Sequence, residues 1–214
     1  FLRMTSFPTS PGISTLPIMK RLSHLIALFS LLTASGAMAS PVDAQLVQKT
    51  YQLAMDKWAL DMRTANTPDE RAKTWSSRPD TTAAARKMWE QIGTSLAEEW
   101  TLEPAAWFLR NTQGLITTNP NGSTAPTFAK ENDAIRKAVE SYHMNSTKLV
   151  PMCMALVANQ DPRSLAILEK LQASHPDKKI QGVAALGAAM QLKAIGDALH
   201  HAGHHEAGHR DQAE

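Results

Sequence analysis

The residues most able to do chemistry lie together at one end of the chain. The run His200-His201-Ala202-Gly203-His204-His205-Glu206-Ala207-Gly208-His209 holds five of the eight histidines. His200 and His204, His201 and His205, and His205 and His209 are each four residues apart. On a helix that spacing places two imidazoles on one face, where their neutral nitrogens can share a Zn²⁺, Ni²⁺ or Cu²⁺ ion. Gly203 and Gly208 weaken a helix here, and a histidine-rich terminus yields such pairs from composition alone. The expectation is therefore weak metal binding by a tail, residues 200–214, that does not help the domain fold. Within it His205-Glu206-Ala207-Gly208-His209 spells H-E-x-x-H, in which two histidines bind zinc and the glutamate activates a water. A peptidase also needs a third protein ligand and a walled cleft. Glu214, nine positions after His205, falls on the opposite face of a continued helix, so a zinc peptidase fragment is the minor reading.

Other reactive side chains are scattered. His143, Met144, Met152, Cys153 and Met154 would suit Cu(I) by type, but Met152 and Cys153 fall on an apolar helical stripe with Leu149 and Leu156 and read as core. Cys153 is the single cysteine, so the chain has neither an internal disulfide nor a C-x-x-C pair. Glu98-Glu99 is a candidate acid/base pair and a better candidate for a solvated face. The sequence holds no glycine-rich phosphate loop, nucleophile elbow or dinucleotide fingerprint. No catalytic residue and no bound organic cofactor is expected.

The first residue is Phe1, and Met19 reads as the better start, so the frame is expected to be incomplete or to begin upstream of the true start. Lys20 and Arg21 precede an apolar stretch, Leu25 to Leu32, too short to span a bilayer, and Ala37-Met38-Ala39 forms a small-x-small cleavage site. The expectation is a secretory signal in residues 1–39 and a periplasmic or secreted product with no membrane segment after cleavage. Of 22 basic residues, Arg3, Lys20 and Arg21 lie within residues 1–39, the upstream residues plus the signal, leaving 19 against 20 acidic ones. A balance near zero, with no basic stripe, excludes a nucleic-acid or anionic-membrane footprint.

Periodicity then supplies the elements. Pro41 to about Met62 repeats Val47, Tyr51, Ala54, Met55, Trp58 and Met62 on one face. Thr67-Pro68-Asp69-Glu70 is a capping box opening a helix to about Trp75. Asp80 starts a helix with Ala85, Met88, Trp89 and Ile92 inward, and a weaker helical segment is expected from Leu96 to Trp100. Glu103-Pro104 opens a helix through Leu109, and Thr112 to Pro126 reads as a structureless loop. Helices follow over Phe128 to Tyr142 and Lys148 to Ala158. Asp161-Pro162 caps the next, with Leu165, Leu168 and Leu171 on one face, and Ser174-His175-Pro176 breaks it from a last helix whose seam is Ile180, Val183, Ala184, Gly187 and Met190. No stretch alternates as a strand does, so no sheet is expected. The fold class is all-α, residues 40–199 forming stacked antiparallel helical hairpins in the manner of a helical-repeat array.

The segments Trp107 to Asn111, Ala134 to Leu156 and Leu168 to Leu192 resemble the helical N-terminal region of exported redoxins of the TlpA-like thioredoxin class, of the planctomycete type. The likeness includes a helix, a Ser-x-Pro turn and a helix with Gln-Gly-x-Ala at Ser174 to Ala184. The resemblance implies a helical scaffold to which, in that family, a thioredoxin domain with its cysteines is joined. Two functions follow as expectations: an exported helical binding or accessory module with a protein partner, or a truncated thiol-disulfide redoxin whose catalytic domain lies beyond Glu214.

Overall fold

The computed structural model describes residues 39–158 and 161–210, with the side chains of 199 and 201–210 outside that description. The chain is all-α, with one small β-hairpin among the described residues. Eight α-helices are numbered here in chain order: α1 (Pro41–Thr64), α2 (Pro68–Ser76), α3 (Thr81–Ile92), α4 (Leu102–Thr112), α5 (Ala129–Ala138), α6 (Val150–Ala158), α7 (Pro162–Ser174) and α8 (Lys178–Arg210).

The helix starts are set locally. Thr67 accepts from the Glu70 N–H while Glu70 reaches back to the Thr67 N–H, a complete capping box, and Pro68 sits where a missing N–H costs nothing. Asp80 caps α3 by accepting the Ala83 N–H, and Asp161 caps α7 by accepting the Arg163 N–H ahead of Pro162. Ser40 caps α1 through the Val42 N–H.

The core is built around α4, with α3 and α6 packed on it and α8 packed on both α6 and α7. Phe108 is fully buried, edge-on to Phe128 and tilted against Trp89. α7 and α8 pack closely because Gly187 lets them: a Cβ there would come within 2.9 Å of Val157 on α6 and 3.3 Å of Leu168 on α7. Ile180 and Ala184 are buried beside it, whereas Met190, expected in the same seam, is 44% exposed. A half-buried ion pair, buried Arg136 to Asp161 at 3.0 Å, ties α5 to the start of α7, and Gln191 of α8 donates to the Asp161 carbonyl.

Five expectations are corrected. Residues 112–126 are not structureless, and a sheet is present: β1 (Ile116–Thr118) pairs antiparallel with β2 (Thr124–Pro126), Ile116 opposite Pro126. Pro120 and Asn121 make the turn, closed by the Gly122 N–H donating to the Asn119 carbonyl at 2.9 Å, and Gly122 follows at φ 80° where a side chain would be strained. All six strand residues are exposed, so no face had to be apolar and no alternation marked them. The segment after Gly93 forms turns and a short 3-10 helix, Glu99–Thr101, in place of the weak helix from Leu96 to Trp100. The helix expected to reach Tyr142 ends as α at Ala138 and closes in a π turn, Val139–His143. That wider turn leaves Tyr142 outside and puts His143 inside. Finally, α8 does not stop near Leu199 but runs through to Arg210. Among the described residues no helix is long and apolar enough to cross a membrane.

Candidate functional site

A cleft of about 530 Å³ opens where the starts of α1, α4, α6 and α8 approach one another. α1 contributes Pro41, Gln45 and Gln48; the 3-10 turn and α4 contribute Glu99, Trp100, Leu102, Glu103 and Pro104. The connection into α6 supplies Thr147, Lys148, Val150 and Pro151, and α8 supplies Lys179. That size is ordinary for a small-ligand site.

The walls are held by a chain of polar contacts. Glu99 accepts from the Ser146 hydroxyl at 2.6 Å and from the Lys148 ammonium at 2.8 Å, pinning the 3-10 turn to the α6 connection. The hydrogen bond from Lys148, and then that from Ser146, lowers the Glu99 carboxyl pKa, so it is a fixed acceptor rather than an acid. Glu98 is exposed and accepts from the Trp100 indole N–H at 2.6 Å, which orients the ring. The Glu98-Glu99 pair thus holds the Trp100 ring and the α6 connection in place at the cleft. Two buried histidines hold the same region from behind. His143 Nε2–H donates to the Leu96 carbonyl at 2.7 Å, and His175 Nε2–H donates to the Ser146 carbonyl at 3.2 Å. His175 Nδ1 accepts the Asp177 N–H at 3.0 Å, which sets the tautomer and caps the turn into α8.

The sequence had singled out Glu98, Glu99 and His143 for other chemistries. His143 is engaged with a carbonyl, Met152 and Cys153 are fully buried, and Met154 is partly exposed. Burial raises the Cys153 thiol pKa to about 11, so it is an inert core thiol. Gln45, Gln48, Lys148 and Lys179 went unnoticed because they come from three segments distant in sequence and share no spacing rule.

The histidine tail lies at the far end of α8. The backbone of residues 200–209 is helical, so positions 200 and 204, 201 and 205, and 205 and 209 are each about one turn apart. The side chains of His201, His204, His205, Glu206 and His209 lie outside the described residues, and His200 is exposed. Among the described residues no cluster of three or more His, Cys, Asp or Glu side chains is placed to hold a metal ion. Compared with known proteins, the chain matches no protein-family model, no curated protein and no solved structure.

Proposed function

We propose that the chain is an exported, non-catalytic helical binding or accessory module whose ligand enters the cleft between α1, α4, α6 and α8. The carrying observation is the charge balance and rigidity of that cleft. Its acid Glu99 is already neutralised by Lys148, Trp100 is held by Glu98, and Glu103 and Lys179 remain as one acid and one base beside the amides of Gln45 and Gln48. Such a lining favours a ligand of no net charge with polar edges and one flat apolar face, stacked on the indole. A neutral oligosaccharide or a short zwitterionic peptide has that chemistry. Titrating maltotriose and trialanine while following amide shifts tests the reading. Binding of either that is lost in Trp100→Ala supports it, and shifts unaffected by that substitution refute the cleft as the site.

Export is supported by the order of the sequence: the processing point after Ala39 is followed at once by Ser40, the cap of α1. The resemblance to TlpA-like redoxin scaffolds supplies the second reading, a redoxin fragment, and the hairpin that carries much of it is formed about Ser174-His175-Pro176 as read. A coding frame that continues past Glu214 into a C-x-x-C motif would favour the redoxin.

The tail is proposed to bind Zn²⁺, Ni²⁺ or Cu²⁺ weakly through His200, His201, His204, His205 and His209, helped by the helical backbone there. Calorimetry on the chain and on a version cut after Leu199 tests this. Equal Zn²⁺ binding by both refutes it. Because imidazole ligates as the neutral base, binding should weaken on acidification.

A further inference from the structure

α1 carries two apolar faces, and only one of them is used. Val47, Tyr51, Met55, Trp58 and Met62 turn toward the rest of the fold, with Tyr51 edge-on to Trp107 and Trp58 donating to the Thr74 carbonyl. On the opposite side stand Val42, Leu46, Leu53 and Leu60, which are 70%, 62%, 70% and 58% exposed. Leu46, Leu53 and Leu60 are spaced by seven, nearly two whole turns, so all three lie within about 20° of one line along the helix. Val42, four before Leu46, extends the line. A straight row of aliphatic side chains along one helix is a seam for another helix rather than scattered surface apolarity.

The charges beside the row identify the second helix. Lys49 and Asp56 lie on the same flank, each between two of the leucines. Place a second α1 antiparallel across a two-fold axis at Leu53. Leu46 then meets Leu60 of the other copy, Leu53 meets its own equivalent, and Lys49 comes level with Asp56 of the other copy, twice by symmetry. Among the described residues Asp56 receives only the neutral amide of Gln52, at 2.8 Å, whereas Lys57 on the other flank is already paired with Asp61 at 3.0 Å. A parallel pairing would leave Lys49 without an acid. We infer that the outer face of α1 is a self-complementary seam through which two copies of this chain pair, their α1 helices antiparallel and crossing at Leu53.

Sedimentation equilibrium of the whole chain from about 1 to about 200 µM tests the pairing directly. The chain should dimerise, and Leu53→Glu should raise the dissociation constant by about 30-fold or more, as expected for the central residue of a seam. Circular dichroism should show that Leu53→Glu melts as the parent does, because the side chain faces solvent in the single chain. Lys49→Asp and Asp56→Lys should each weaken pairing about two- to fivefold, and the double reversal should restore it. Under oxidation, Leu53→Cys should cross-link to itself, and a mixture of Leu46→Cys and Leu60→Cys should cross-link to each other but not to themselves; buried Cys153 does not compete. A chain that stays monomeric throughout the range overturns the proposal, as does an undiminished dimer in Leu53→Glu. Self-linking of Leu46→Cys alone would also overturn it, since it means a parallel pair.

Discussion

α4 and α1 are both amphipathic helices in one fold, yet they use their side chains in opposite ways. α4 buries eight of its eleven residues, including Trp107, Phe108 and Leu109 in succession, because α1, α3 and α6 close around it. α1 has 24 residues and fully buries only Ala44. The short helix is covered on all but a narrow polar edge, Glu103 and Arg110, and forms the interior; the long one lies on the surface, half-burying one stripe and leaving a second stripe open. Length and periodicity do not separate a core helix from a docking helix. The number of faces that find neighbours does.

Substitutions ranked by their expected cost sharpen that contrast. Phe108→Ala should cost about 3–5 kcal/mol, since it opens a cavity between Trp89 and Phe128 that neighbouring helices cannot fill. Urea unfolding measures it, and a loss below about 1 kcal/mol would mean that α4 is not the packing centre.

Cys153 gives a second measure of the interior, on the alkaline side. Its thiol pKa is raised from 9.0 to about 11 by burial, so the folded state holds the proton more tightly than the unfolded chain does. That contribution is complete below pH 9 and is lost as pH rises towards 11, in total roughly 2–3 kcal/mol. Cys153→Ala should therefore show a shallower loss of stability than the parent across that window, whatever its stability at neutral pH. An identical slope would place the thiol in contact with solvent.

Gly187→Ala and Gly196→Ala test packing within α8. Both gain helix propensity, about 1 kcal/mol. A methyl group at 187 collides with Val157 and Leu168, at about 1–3 kcal/mol, whereas at 196 it meets nothing. Gly196→Ala should raise the melting temperature, and Gly187→Ala should fall below it by that difference. The smallest effect belongs to α1: Leu53→Ser should change the stability of the single chain by no more than about 0.5 kcal/mol, measured in dilute solution. A large loss there would mean that the outer row is packed within its own fold.

Sequence alone determined what depends on neighbours within one helical turn. The Thr67 to Glu70 capping box, the Asp80 and Asp161 caps, the break at Ser174-His175-Pro176 and the inward stripes of α3 and α7 are all set by contacts between residues two to four apart, and all could be read before folding. Tertiary structure decided what depends on distant partners. The strands at 116–118 and 124–126 have no buried face to pattern them, and the π turn puts His143 where Leu96, 47 residues away, needs a donor. The cleft joins Gln45 to Lys179. Val42, Leu46, Leu53 and Leu60 are plain helix formers in the sequence, and they became an open seam only because the fold closed over the other side of α1. Periodicity records that a face is apolar; only packing shows whether anything covers it.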